Sequence, residues 1–256
     1  FSVDVSVTQW LVVGYMLVIG VVLPFASLLM KWFSARKLTL FALGAFFVGA
    51  VASAVAPSFP VALAGRAVQG IGTGLVLPIM FAMVLEVIPP HKIGAAMGMN
   101  ALVIMFAPAI GPTLAGALIG AGSWRLVFAS FAVIALVGII FAWKFEVNPY
   151  KLTRPSIDAP SVVLSVVGFG GIVLGAGMAS SCGWASPIVL GGLVAGLVCL
   201  ALYVRRQLSM EVPVIDMRIF SHQGFRMGAV CMMVNFGITL SAMYILPQFY
   251  QNGMLL

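Results

Sequence analysis

Charged positions along this chain gather into short gaps, and the stretches between them are apolar and carry no formal charge. Residues 5–30, 38–65, 67–85, 93–124, 126–143, 159–204 and 227–256 contain no Asp, Glu, Lys or Arg. A helix rises about 1.5 Å per residue, so about 20 apolar residues cross a hydrocarbon core of roughly 30 Å. The run 159–204 is long enough for two crossings, and Ser180, Ser181, Gly183, Ser186 and Pro187 supply a turn in its middle. The pattern therefore predicts eight spans, at about 5–30, 38–57, 62–88, 95–119, 125–145, 160–181, 187–205 and 225–250. A closed β-barrel would also pair every backbone group in lipid, but its strands alternate apolar and polar over about 10 residues. No such alternation is visible, so the expected fold class is all-α, a polytopic membrane helix bundle.

Composition removes the soluble alternatives. About a quarter of the residues of a soluble domain are charged, against 7% here, with 62% hydrophobic and a mean hydropathy of +1.18. A net charge of +7 raises nucleic acid as a partner, but the basic residues occupy loops between spans rather than a solvated surface, so no nucleic-acid partner is expected.

Those basic residues instead give an orientation. Lys31, Arg36 and Lys37 follow span one; Lys92 follows span three; Lys144, Lys151 and Arg154 follow span five; Arg205, Arg206, Arg218 and Arg226 surround the loop after span seven. Eleven of the 13 basic residues thus fall in alternate loops, which the positive-inside rule places in the cytoplasm. The exceptions are Arg125 and Arg66. Phe1 is then extracellular in a multi-pass protein of the cell membrane. No signal peptide precedes it, because the start is not basic and the first apolar run is span-length. The expectation is a fragment that lacks an upstream span and, after Leu256, later ones.

Candidate chemistry is sparse. Arg66 is the only charge well inside a span, in Gly65-Arg66-Ala67-Val68-Gln69-Gly70-Ile71-Gly72-Thr73-Gly74. A guanidinium there costs at least about 2.5–3.5 kcal/mol to insert, so it should face a cavity or a partner; the alternative is an arginine that snorkels to the headgroups. Gln69, Gly70 and Gly74 share its helix face and would let a neighbouring helix or ligand approach closely. Span four holds Gly98 and then Ala107-Pro108-Ala109-Ile110-Gly111-Pro112-Thr113-Leu114-Ala115-Gly116, whose two prolines each delete a helix donor and whose small residues form a packing face. The pairs Gly171/Gly175 and Gly192/Gly196 read as ordinary helix packing. Cys182, Cys199 and Cys231 lack metal or disulfide spacing, and His91 and His222 fall in loops. With no Walker pattern, metal cluster or catalytic triad, neither an enzyme nor a cofactor is expected.

Taken in order, these segments resemble the major facilitator superfamily, most closely its fourteen-span drug/proton antiporter branch. The Arg66 segment resembles the R-x-x-q-G-x-g motif of that family's fourth helix. Gly98, Gly111, Pro112 and Gly116 match the antiporter motif of the fifth helix, with Ala107 and Ala115 standing for glycines beside Pro108. Pro24 through Leu38 resembles the loop motif between helices two and three, with Arg36 and Lys37 in place, Lys31 where an acid is usual and Ser27 where a glycine is usual. Gln9-Trp10, Tyr15-Met16-Leu17 and Ser123-Trp124-Arg125-Leu126-Val127-Phe128 resemble recurring phrases of the branch.

The resemblance implies residues 1–146 as the remainder of an N-terminal six-helix half, 147–206 as a cytoplasmic linker with two inserted spans, and 207–256 as the start of the C-terminal half. It implies proton-coupled efflux of lipophilic or cationic drugs by alternating access, of the kind that confers antibiotic resistance, with protons, a small lipophilic substrate and membrane lipid as partners. Arg66 would act on a proton-binding carboxylate in the absent helices, since Asp4, Glu86, Glu146, Asp158, Glu211 and Asp216 all sit at span ends or in loops. Two other readings stand beside it: an exporter of a defined metabolite such as a siderophore, amino acid or lipid, and a non-transporting, truncated membrane protein.

Overall fold

A computed structural model describes residues 5–149, 152, 158–210, 213 and 215–249. Asp4, Lys151, Arg154 and Glu211, together with both chain ends, lie outside the described residues. The order is a short helix α1 (Val5–Thr8), then α2 (Trp10–Trp32), α3 (Ala35–Ala54), α4 (Phe59–Val87), α5 (Ile93–Gly120), α6 (Arg125–Phe145), α7 (Ala159–Cys182), α8 (Pro187–Ser209) and α9 (Gln223–Gln248), with 3₁₀ turns at Pro90–Lys92 and Met217–Ser221. Each predicted span therefore meets one long helix. The first differs in detail, because a turn at Gln9 separates α1 from α2. Seven of these helices, α2 to α8, are long and apolar enough to cross a membrane.

Local sequence explains where the helices start. Pro60, Pro160 and Pro187 stand in the first turn of α4, α7 and α8, where a missing N–H costs nothing. Asp158 caps α7 by accepting from the Ser161 amide at 3.2 Å. At the opposite end of α7, Gly183 adopts φ +82°, a conformation that side chains disfavour, and so makes the turn into α8.

The chain divides into two compact units, residues 1–215 and 216–256. In the second, α9 follows the 3₁₀ turn, and Phe220 packs edge-on against Phe225 at 5.1 Å. In the first, α2, α3, α4 and α6 form a bundle whose core joins Ala26, Leu38, Ala42, Leu75 and Ile79. Helices α7 and α8 form a hairpin of backbone-to-backbone contact: a Cβ on Gly171 would lie 3.0 Å from the Gly192 carbonyl oxygen, and one on Gly196 2.8 Å from the Ile172 nitrogen. The hairpin rests on α2, with Gly20 facing Val173 and Gly170 facing Val21. Its open ends are clasped by Arg206, which donates from Nε and Nη2 to the two Asp158 carboxylate oxygens, each at 2.7 Å.

Helix α5 stands apart, since none of its residues is buried. The sequence predicts a tight packing face here; toward the described residues that face is open. Gly98, Gly111 and Gly116 each have open space where a side chain would go. Ala107 and Gly111 instead line an apolar cleft of about 560 Å³ that also touches Val127 and Phe131 of α6. The physical reason is that no described helix of this unit lies against that face. The helix is nonetheless continuous through Pro108 and Pro112.

Candidate functional site

Arg66 lies seven residues past the start of α4, about 10 Å along its axis. Helix α4 approaches two helices closely, on different faces. On one face, a Cβ at Gly49 of α3 would sit 2.6 Å from the Gln69 nitrogen, and one at Gly65 2.8 Å from the Gly49 carbonyl oxygen. On the other, a Cβ at Gly70 would meet Val18 Cβ at 2.8 Å, and one at Gly74 would meet Val22 Cβ at 2.9 Å. The small residues at 70 and 74 thus let α2 and α4 run side by side, which brings Leu11 and Tyr15 beneath the guanidinium.

Arg66 does not snorkel out to the surface. Its Nε donates to the Leu11 carbonyl at 3.2 Å and its Nη1 to Gln69 Oε1 at 3.0 Å. Its Cζ stands 3.8 Å from the centre of the Tyr15 ring and 6.0 Å from that of Phe128. The Tyr15 hydroxyl is tied to Thr73 Oγ1 at 2.8 Å, and Thr73 Oγ1 donates to the Gln69 carbonyl at 3.2 Å. Every acceptor around this cation is neutral: a carbonyl, an amide oxygen and ring faces. Among the described residues, Arg206–Asp158 forms the salt bridge and Arg66 joins none.

Gln69 sharpens the picture. It is fully buried, and its Nε2 has no hydrogen-bond partner. The orientation of the amide follows from Arg66, which can only donate and therefore takes the oxygen. A buried amide donor left open costs about 1–3 kcal/mol, and here it adjoins a cation that lacks a counter-ion.

The loop motif occupies the opposite, basic end of the bundle. Arg36 donates from Nη2 to the Trp143 carbonyl. Asn148 Oδ1 accepts the Ala35 amide at 2.8 Å, and Thr39 Oγ1 donates to Glu146 Oε1 at 2.7 Å. The start of α3 is thereby fastened to the end of α6. Burial raises the Glu146 carboxyl above its ordinary range, against the Thr39 hydrogen bond and the positive charge of Arg36. With Lys31 standing where an acid is usual, Glu146 is the carboxylate beside Arg36. Lys31 makes no hydrogen bond or ion pair with a described residue, and Lys37 borders an apolar cavity of about 500 Å³ with Leu29, Phe33 and Phe41.

The structure thus brings Arg66, Gln69, Gly70 and Gly74 into one place. It puts Arg36 and Lys37 at the other end and leaves Gly98, Ala107, Pro108, Gly111, Pro112 and Gly116 on the open helix α5. Sequence reasoning missed Tyr15 and Thr73 as partners of the Arg66 cluster; the signal available was Tyr15 as part of a recurring phrase. It also missed Arg125, which donates from Nη2 to the Ala56 carbonyl at 2.8 Å and so ties α6 to the loop after α3. Cys182 and Cys231 are exposed. Among the described residues no group of His, Cys, Asp and Glu could hold a metal ion.

Comparison with known proteins bears on the whole chain. The model of the Major Facilitator Superfamily matches residues 1–254. A lincomycin resistance protein LmrB of Bacillus subtilis is 41% identical across 100% of this chain and 54% of its own length. Its namesake in Listeria monocytogenes is 39% identical, again over 100% of this chain and 54% of the relative. A multidrug resistance protein B homolog of Mycobacterium tuberculosis is 28% identical over 98% of this chain and 47% of its own length. The chain spans about half the length of these curated relatives. Together with seven membrane-length helices, the match makes it a multi-pass protein of the cell membrane and not an enzyme.

Proposed function

The chain belongs to the Major Facilitator Superfamily, and on that premise we propose that it carries part of a proton-coupled exporter of lipophilic or cationic drugs that works by alternating access. Residues 1–146 supply the remainder of the N-terminal half, 147–206 the linker and two inserted spans, and 207–256 the start of the C-terminal half. The observation that carries the reading is the Arg66 cluster. A cation held only by neutral acceptors, beside the open Gln69 Nε2 donor, is built to receive an anion. In a proton-coupled cycle that anion is a carboxylate: its proton leaves when it meets Arg66 and returns when it is withdrawn, because a nearby positive charge favours the ionised form.

No described span carries such a carboxylate in its interior, since Glu86 is near the end of α4 and Glu146 and Asp158 cap helix ends. The acid therefore comes from further chain of the kind that the longer relatives possess. On the same reading, the open glycine face of α5 seals against that further chain and limits proton leak.

The test is transport by the full-length protein in everted membrane vesicles, with and without a proton gradient. Lincomycin, which gives two of the relatives their names, and a lipophilic cationic dye are the first substrates. Arg66→Ala should abolish gradient-driven export while leaving membrane insertion intact, and Gly111→Leu should uncouple export from the gradient. Gradient-driven export at the wild-type rate in both variants would overturn the proposal.

A further inference from the structure

The C-terminal end of α8 carries two adjacent arginines with different occupations. Arg206 is engaged, with Nε and Nη2 both directed at Asp158. Arg205 is exposed and has no hydrogen bond or ion pair with any described residue. Among the described residues none occupies its five N–H donors, which form a fork that matches a phosphate.

The surface on either side of Arg205 is apolar and grooved. One groove, shallow and of about 560 Å³, follows a single face of α8 past Leu197, Leu200, Val204 and Leu208, with Arg205 on its border. A second, of about 480 Å³, lies between Leu164 of α7 and Leu202 of α8 and ends at Arg205, Arg206 and Ser209. Arg205 therefore borders both apolar grooves, near the end of α8. The Ser209 hydroxyl is spent on the Arg206 carbonyl at 2.8 Å, so its oxygen offers no further proton. The donors facing a ligand here are those of Arg205 and the remaining Nη1 of Arg206.

We propose that the end of the α7–α8 hairpin is a binding site for one anionic, two-chain phospholipid, whose phosphate sits on Arg205 and whose acyl chains lie in the two grooves. Charge complementarity selects the headgroup, because Asp158 neutralises Arg206 and leaves Arg205 without a counter-ion among the described residues. The apolar lining beside Arg205 selects a lipid over a soluble phosphate ester. This site lies outside the Arg66 cluster and does not depend on the transport reading.

The probe is phosphatidylglycerol against phosphatidylcholine. The full-length protein is purified from nanodiscs holding equal amounts of the two lipids, and the lipids it retains are counted by native mass spectrometry. Wild type should retain phosphatidylglycerol preferentially. Arg205→Gln should lower that preference about fivefold, equivalent to about 1 kcal/mol. Lys92→Gln, which removes a cation from the same side of the chain, should leave it unchanged. An unchanged preference in Arg205→Gln overturns the proposal, and so does an equal loss in Lys92→Gln, which would mean diffuse surface charge. Displacement of the retained lipid by millimolar glycerol 3-phosphate would also overturn it, in favour of a soluble anion.

Discussion

Tyr15 makes two separable contributions to the Arg66 cluster, and two substitutions divide them. Tyr15→Phe removes the 2.8 Å hydrogen bond to Thr73 and keeps the ring 3.8 Å under the guanidinium. Thr73 still donates to the Gln69 carbonyl, so Tyr15 is the donor in that pair and its loss strands no buried proton. The cost should fall at the low end for a hydrogen bond, about 0.5–1 kcal/mol. Tyr15→Leu removes the ring as well, and with it a partly desolvated cation–π contact of about 1–2 kcal/mol. Arg66 is left with one carbonyl and one amide oxygen. The total for Tyr15→Leu should be about 1.5–3 kcal/mol. At roughly 2–4 °C per kcal/mol for a chain of this size, thermal unfolding in detergent should fall by about 1–4 °C for Tyr15→Phe and about 3–12 °C for Tyr15→Leu. Equal shifts for the two variants would refute the stacking contribution. A larger shift for Tyr15→Phe would refute the assignment of Tyr15 as the hydrogen-bond donor.

Gly65→Leu should prevent α3 and α4 from meeting and abolish the folded fraction in size-exclusion chromatography, whereas Gly98→Ala, with open space at its Cβ, should leave folding intact and favour the helix by about 0.5–1 kcal/mol. Asp158 is held below the usual carboxylate range, first by its hydrogen bond from Arg206 and then by that from Ser161. The stability it contributes is present above about pH 4, the unfolded carboxylate value, and is lost as pH falls through the lower folded value; Asp158→Asn should erase that part of the acid dependence of Tm. Glu146 has the opposite sign, because its folded pKa is raised. Its contribution is present below the unfolded value and lost as pH rises through the folded one, so Glu146→Gln, which can still accept from Thr39, should raise Tm above the folded value and remove that part of the pH dependence.

The sequence made the helices legible and left their faces obscure, for a physical reason. Charge and proline mark where a span meets water, so the limits of α3 to α8 followed within a few residues. Inside lipid a helix is apolar all round, and no polar stripe tells its packed side from its lipid side. Gly70 and Gly111 look alike as small residues among apolar ones, yet one is pressed against Val18 and the other opens on a cleft. Arg66 was recognisable because a charge in lipid demands an explanation, but Tyr15 beneath it was not, since pairing between residues so far apart in the chain depends on how α2 and α4 cross. The two basic residues that break the loop pattern, Arg66 and Arg125, prove to have the same use: each donates to a backbone carbonyl on another element, Leu11 and Ala56.

The clasp between Asp158 and Arg206 also fixes a count. A hairpin that enters and leaves a membrane at one point contributes an even number of crossings, and an even number does not alter the side on which anything downstream emerges. Segments before Asp158 and after Arg206 would keep their sidedness whether the hairpin were present or removed. Within a topology set by parity, α7 and α8 are thus a pair whose presence or absence leaves the helices that follow uninverted.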